Sequence, residues 1–97
     1  MKTLNGIKNK LKDYKAELKE KYNLKEISIF GSYTRNDQTI DSDIDILVSF
    51  SKPIGLIKFI QLEGRLEQIL KSKVDLVPKK GIKIELKDSI LKEAVAV

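Results

Sequence analysis

The stretch FGSYTRNDQTIDSDIDILVSF, residues 30–50, places four aspartates (37, 41, 43 and 45) within nine positions and then runs into an apolar alternation. In an extended chain Ile44, Ile46, Val48 and Phe50 point one way, and Asp43, Asp45, Leu47 and Ser49 the other. This pattern predicts a strand with one face in a core. It also puts the carboxylates of Asp43 and Asp45 on the opposite face, with Cα atoms roughly 6.5–7 Å apart. Two such groups repel each other, so their juxtaposition calls for a cation.

Outward from this strand the periodicity changes. Upstream, KEISIF (25–30) places Ile27 and Ile29 on one face and Ser28 and Phe30 on the other until Gly31 breaks the run, predicting a first strand. Before it, Leu4, Ile7, Leu11, Tyr14, Leu18 and Tyr22 recur every three or four residues, the apolar stripe of a helix ending near Asn23. SYTRND leaves room for one or two helical turns. Downstream, Leu56, Phe59, Leu62, Leu66, Ile69 and Leu70 trace a second stripe with Pro53 near its start. KVDLV then reads as a third strand closed by Pro78, with Asp75 and Val77 opposite Val74 and Leu76. Leu86, Ile90 and Ala94 mark a last helix running to the carboxyl terminus. The predicted fold class is α/β (α+β), a small mixed β-sheet of about three strands packed with helices, with residues 1–97 as a single domain.

Composition narrows the chemistry. The 97 residues contain neither cysteine nor histidine, which excludes disulfides, thiolate sites and the common zinc constellations, so any metal must be held by oxygen. No apolar run reaches the length of about 18 residues needed to span a bilayer, and no signal-peptide pattern is present, so the chain reads as cytosolic. The net charge of +5 is concentrated at the start: residues 1–26 hold eight lysines against four acids. That basic first helix is either a solvated face or a surface for RNA or an acidic partner. Aromatic residues make up only 6% and are not gathered for base stacking, so RNA binding is the weaker reading.

Three carboxylates carry the candidate site. Asp43 and Asp45 share a strand face, and Asp75 sits among core-type neighbours where pairing or ligation suits it better than solvent. If the second and third strands are adjacent, the three meet on one face. Two or three aspartates with open positions left for phosphate oxygens suit Mg²⁺ or Mn²⁺. Gly31-Ser32, at a strand-to-helix junction, offers close backbone approach, a hydroxyl and exposed amides for a phosphate. Arg35, three residues on, presents a fork of donors. Each residue has an alternative: turn capping in DSD for Asp43, a lysine salt bridge for Asp75, and a surface ion pair with Asp37 or Asp41 for Arg35.

GSYTRNDQTIDSDIDILV resembles the signature of the minimal nucleotidyltransferases of the DNA polymerase β-like superfamily, and KVDLV matches the strand bearing that family's third carboxylate. The resemblance spans nearly the whole chain. It implies the polymerase β-like nucleotidyltransferase fold, with Gly31, Ser32 and Arg35 binding the triphosphate of ATP. It further implies Asp43, Asp45 and Asp75 as metal ligands and catalytic residues, with Asp75 helping to deprotonate the attacking hydroxyl. Thr34 and Asn36 stand where a small residue and a glycine commonly flank the arginine, which leaves the loop geometry open. Minimal proteins of this type resemble the antitoxin half of paired systems whose partner is a small helical HEPN ribonuclease. The implied activity is transfer of AMP to a hydroxyl of that toxin, typically on a tyrosine. The Lys-rich first helix and the carboxyl-terminal EAVAV are candidate contact surfaces. The competing reading is a non-catalytic nucleotide-binding antitoxin that neutralises its partner by occlusion.

Overall fold

The computed structural model describes residues 2–97. Its elements are α1 (Leu4–Tyr22), β1 (Leu24–Phe30), α2 (Ser32–Arg35), β2 (Ile44–Phe50), α3 (Gly55–Leu70), β3 (Val74–Pro78), a 3₁₀ turn (Lys79–Gly81), α4 (Ile84–Glu93) and β4 (Val95–Ala96). The sheet is mixed, in the order β3-β2-β1-β4. β1 runs antiparallel to both β2 and β4, while β2 and β3 are parallel and joined through α3. A parallel pair needs such a crossover, and a helix supplies it.

Local signals set the element ends. The Thr3 hydroxyl accepts a hydrogen bond from the Gly6 amide and caps α1, and Asn23 ends it at φ 54° in the left-handed conformation that asparagine tolerates. The stripe then does as expected. Ile7, Leu11 and Leu18 are buried, and Leu4, Tyr14 and Tyr22 pack at the margin of the core. Ile27 and Ile29 of β1, Ile44, Ile46 and Val48 of β2, Val74 and Leu76 of β3, and Leu62, Leu66, Ile69 and Leu70 of α3 complete one cluster between the helices and one face of the sheet. Arg65 fastens the two long helices. Its Nε and Nη2 donate to Glu17 at 2.7 and 2.9 Å, and its guanidinium lies 5.2 Å from the centre of the Tyr14 ring.

Three expectations need correction. The sheet has four strands rather than about three, because Val95 and Ala96 add a short edge to β1. Consequently α4 stops at Glu93 instead of reaching the terminus, and Ala94, N–H bonded to the Ile90 carbonyl, lies beyond it in extended conformation. Leu56 is 73% exposed and outside the core. Phe59 meets Phe50, the last residue of β2, edge to face at 6.3 Å, so the first turn of α3 overhangs the end of the sheet.

Candidate active site

The site is built where β1 ends and β2 and β3 begin, on the face turned away from α1 and α3. Phe30 pairs with Asp45 across the antiparallel β1–β2 ladder, so the turn after Phe30 is held against that carboxylate. Gly31 has φ 80° and ψ −148°, a conformation that L side chains rarely adopt. A Cβ placed there would lie 1.9 Å from Asp45 Oδ2. Only glycine lets the chain turn while the carboxylate occupies that space. Gly31 O then accepts from the amides of Thr34 (3.0 Å) and Arg35 (3.2 Å) and from Thr34 Oγ1 (2.8 Å), fixing α2. The helical bonds thus begin at the Thr34 amide, so the amides of Ser32 and Tyr33 precede the first closed turn. Asn36 takes the left-handed conformation at φ 60°, and the Asp37 amide returns to Ser32 O at 3.1 Å. The loop question posed by Asn36 is thereby answered: asparagine supplies the backbone shape for which glycine is otherwise suited.

Asp45 and Asp75 are register partners on the parallel strands β2 and β3. Adjacent strands lie about 4.8 Å apart and paired residues share a face, so the two carboxylates are neighbours. Asp43 precedes β2 by one residue, two positions before Asp45, and is exposed together with Asp75. Burial, then the charge of Asp75, then that of Asp43 push the Asp45 carboxyl up from 3.8 to about 6, against a smaller opposing pull from Arg35. For Asp43 and Asp75 the local alternatives are not seen. The turn before β2 is closed by Ser42, whose hydroxyl accepts from the Thr39 amide at 2.8 Å. Among the described residues neither Asp43 nor Asp75 forms an ion pair.

The donor set suits a hard divalent cation, being oxygen-only and carboxylate-rich. Among the described residues no three acidic side chains come together in an arrangement that could hold a metal ion, so the structure brings Asp45 and Asp75 together without drawing Asp43 into one ligand group with them. Two partnered aspartates with a third at the strand entrance form an open arrangement, the kind that substrate phosphates complete. A separate hollow of about 310 Å³, lined by Gly6, Ile7, Ile69 and Leu70 between α1 and α3, contains none of these groups.

Arg35 behaves partly as expected. Its Nε donates to Asp37 Oδ2 at 3.3 Å, but its shorter bond, 2.5 Å from Nη1, goes to Glu93 Oε1 on α4 rather than to Asp41. Glu93 also adds to the negative field at Asp45. Nothing in the sequence around Glu93 marks it, since it belongs to a Lys- and Glu-rich helix 58 residues from its partner.

Residues 11–97 match the nucleotidyltransferase domain family. The chain belongs to that family. Over its whole length it is 44% identical to the protein adenylyltransferase MntA of Thermococcus cleftensis, covering 98% of that protein. A Methanocaldococcus jannaschii protein with a provisional protein adenylyltransferase name is 56% identical over 82 residues, 84% of each chain. A solved structure provisionally described as a minimal nucleotidyltransferase superposes with a TM-score of 0.82 at 27% identity, covering 99% of this chain and 97% of that one. A toxin–antitoxin complex solved with AMP-PNP gives 0.74 at 29% identity, covering 91% of this chain and 69% of that one. The molecule is thus a nucleotidyltransferase of the minimal, MntA-like kind, with the α+β fold expected of it. No helix among the described residues is long and apolar enough to cross a membrane.

Proposed function

We propose that this nucleotidyltransferase moves AMP from ATP to a hydroxyl, that of a tyrosine, on a helical HEPN toxin, and thereby acts as its antitoxin. The observation that carries the proposal is the pairing of Asp45 with Asp75 against a glycine turn whose shape leaves room for the carboxylate. Similarity to a protein adenylyltransferase over the full chain and to toxin–antitoxin structures supports the choice of donor and partner.

In this reading Gly31 and Ser32 receive the triphosphate through close backbone approach, amides and a hydroxyl, and Arg35 adds a charged clamp. Asp43, Asp45 and Asp75 would hold Mg²⁺ or Mn²⁺, which when bound would neutralise phosphate charge and acidify the attacking hydroxyl. Asp75, exposed at the outer strand, accepts that hydroxyl's proton in this reading. The acceptor oxygen bonds to the α-phosphorus as the bridging P–O bond breaks, and pyrophosphate leaves with the electron pair.

The test is to incubate the purified chain with its HEPN partner, ATP and Mg²⁺ and to follow the partner's intact mass and peptide map. Whole AMP additions on tyrosine are expected, and they should vanish when Asp45→Asn replaces the native chain. Protection from the toxin that survives Asp45→Asn without any mass change would instead establish neutralisation by occlusion.

A further inference from the structure

Arg35 is held by carboxylates on two of its three nitrogens, and the nearer one comes from the far end of the chain. The third nitrogen, Nη2, has no protein partner among the described residues. How firmly Glu93 is placed decides what the pair does. α4 is a weak anchor in itself, with no buried residue. Its end, however, is tied into the sheet. Val95 and Ala96 pair with Ile29 and Ser28, the Val97 amide donates to Ile27 O at 3.0 Å, and Lys15 Nζ donates to Val97 O at 3.0 Å. Glu93, the last residue of α4, lies two residues before Val95, so the pairing anchors the chain just beyond it, and its carboxylate reaches Arg35, four residues past Gly31. The Glu93 side chain is 20% exposed, against 59% for Asp37.

A carboxylate at the end of a helix, whose following residues are anchored in the sheet and which itself meets Arg35, is built to orient that partner, not to swing away from it. We infer that Glu93 is a positioning residue for nucleotide binding, acting through Arg35 by holding Nη1 so that the unpaired Nη2 is presented to the triphosphate. This rests on the reading of Arg35 as a phosphate clamp. Arginine without such a hold must lose several freely rotating torsions when it engages phosphate, and a preset guanidinium has already lost them. The short strand β4, too small to matter as sheet, then has a reason to exist: it delivers Glu93.

Binding of AMP-PNP with Mg²⁺, measured by calorimetry on the full chain, separates this from the alternatives without requiring an acceptor. Arg35→Ala is expected to weaken binding tenfold or more, and Glu93→Ala about tenfold, as for loss of a charge-assisted bond. Glu93→Gln keeps an oxygen that accepts from Nη1 and should stay within about threefold of the native affinity. In the Arg35→Ala background, Glu93→Ala should produce no further loss. Thermal melts check folding, and if Glu93→Ala melts below the working temperature, Glu93→Asp, one methylene short of Nη1, serves in its place. Tighter binding by Glu93→Ala would make Glu93 a competitor of phosphate and overturn the inference. So would a loss that persists without Arg35, which would mean that Glu93 merely holds the chain's end. An undiminished affinity in Arg35→Ala overturns the clamp reading itself, whereas loss there with Glu93→Ala unchanged overturns only the role of Glu93.

Discussion

β2 presents two opposed environments from one seven-residue strand. Ile44, Ile46 and Val48 face the helices, each at most 1% exposed and enclosed by aliphatic side chains. Asp45, between the first two, faces the other way, beside Asp75 of the neighbouring strand and within the field of Asp43. The inner face contributes stability through burial, about 2 kcal/mol for each such side chain. The outer face spends it, since every carboxylate there raises the cost of ionising Asp45. The two arginines repeat the contrast. Arg65 satisfies Glu17 bidentately and stacks on Tyr14 within the helix layer, whereas Arg35 is spread between two carboxylates with one nitrogen left over. A group whose bonds are complete holds structure together; a group left incomplete on a firm support is available to a substrate.

The contrast breaks most sharply at Asp45. Asp45→Asn should reduce AMP transfer at least about a thousandfold, because the substitution removes a ligand from the charge-stabilising machinery. The same substitution should stabilise the metal-free protein, by about 1 kcal/mol once the shift is discounted for solvent screening. That corresponds to a melting temperature higher by about 4–8 °C for a domain of this size. Next door, Ile46→Ala should have the reverse profile, losing about 2–5 kcal/mol in urea unfolding while the fraction that remains folded keeps its turnover. If Asp45→Asn lowers the melting temperature, the outer face is structural and the division fails.

How much of this division could be read from the chain alone differs by element. The inner face was legible because it is periodic. The stripes of α1 and α3 and the alternation in β2 repeat a spacing that only one kind of element satisfies. The neighbouring of Asp45 and Asp75 was legible because strand geometry fixes which side chains share a face, and a resemblance to a known family joined Asp43 and Gly31 to them. The limits were equally physical. β4 is two residues long, too short to show any period, and it forms because β1 has a free edge, a property of the assembled sheet. Glu93 follows from β4, so the arginine's nearer partner was hidden with it. Leu56 continues the α3 stripe in sequence, but periodicity assigns a face and cannot say where the sheet beneath it stops.

Gly31→Ala is the next smaller test, since it disturbs the outer face without removing any charge. A methyl group there meets Asp45 Oδ2 at 1.9 Å, and the backbone sits at φ 80°. The strain should cost about 1–2 kcal/mol of stability. The aspartate's displacement by an ångström or so should lower transfer on the order of a hundredfold. Stability and activity then fall together, unlike at Asp45 or Ile46. An alanine variant that keeps its turnover would show that the Asp45 carboxylate is not needed at the position it occupies here.

The smallest expected effect is a pH dependence, and its sign distinguishes the two layers. In the folded metal-free chain Asp45 titrates near 6, against 3.8 for an unperturbed carboxyl. The folded state therefore binds this proton more tightly than the unfolded state does. The resulting stabilisation is complete below about pH 3.8 and is lost as pH rises through 6. Glu17 in the helix layer is shifted the other way, downward, chiefly by its hydrogen bonds to Arg65, so its contribution is present above 4.5 and is lost on acidification. Lowering the pH from 7 to 5 in chelator should accordingly raise the melting temperature by about 3–5 °C after allowance for solvent screening. Further acidification should turn the curve over as Glu17 is protonated. Asp45→Asn should abolish the rise and leave the fall, while Glu17→Gln should flatten the fall and leave the rise. A stability curve that declines steadily from pH 7 downward would mean that the outer carboxylates do not burden the fold, and the opposition between the two faces of β2 would have to be abandoned.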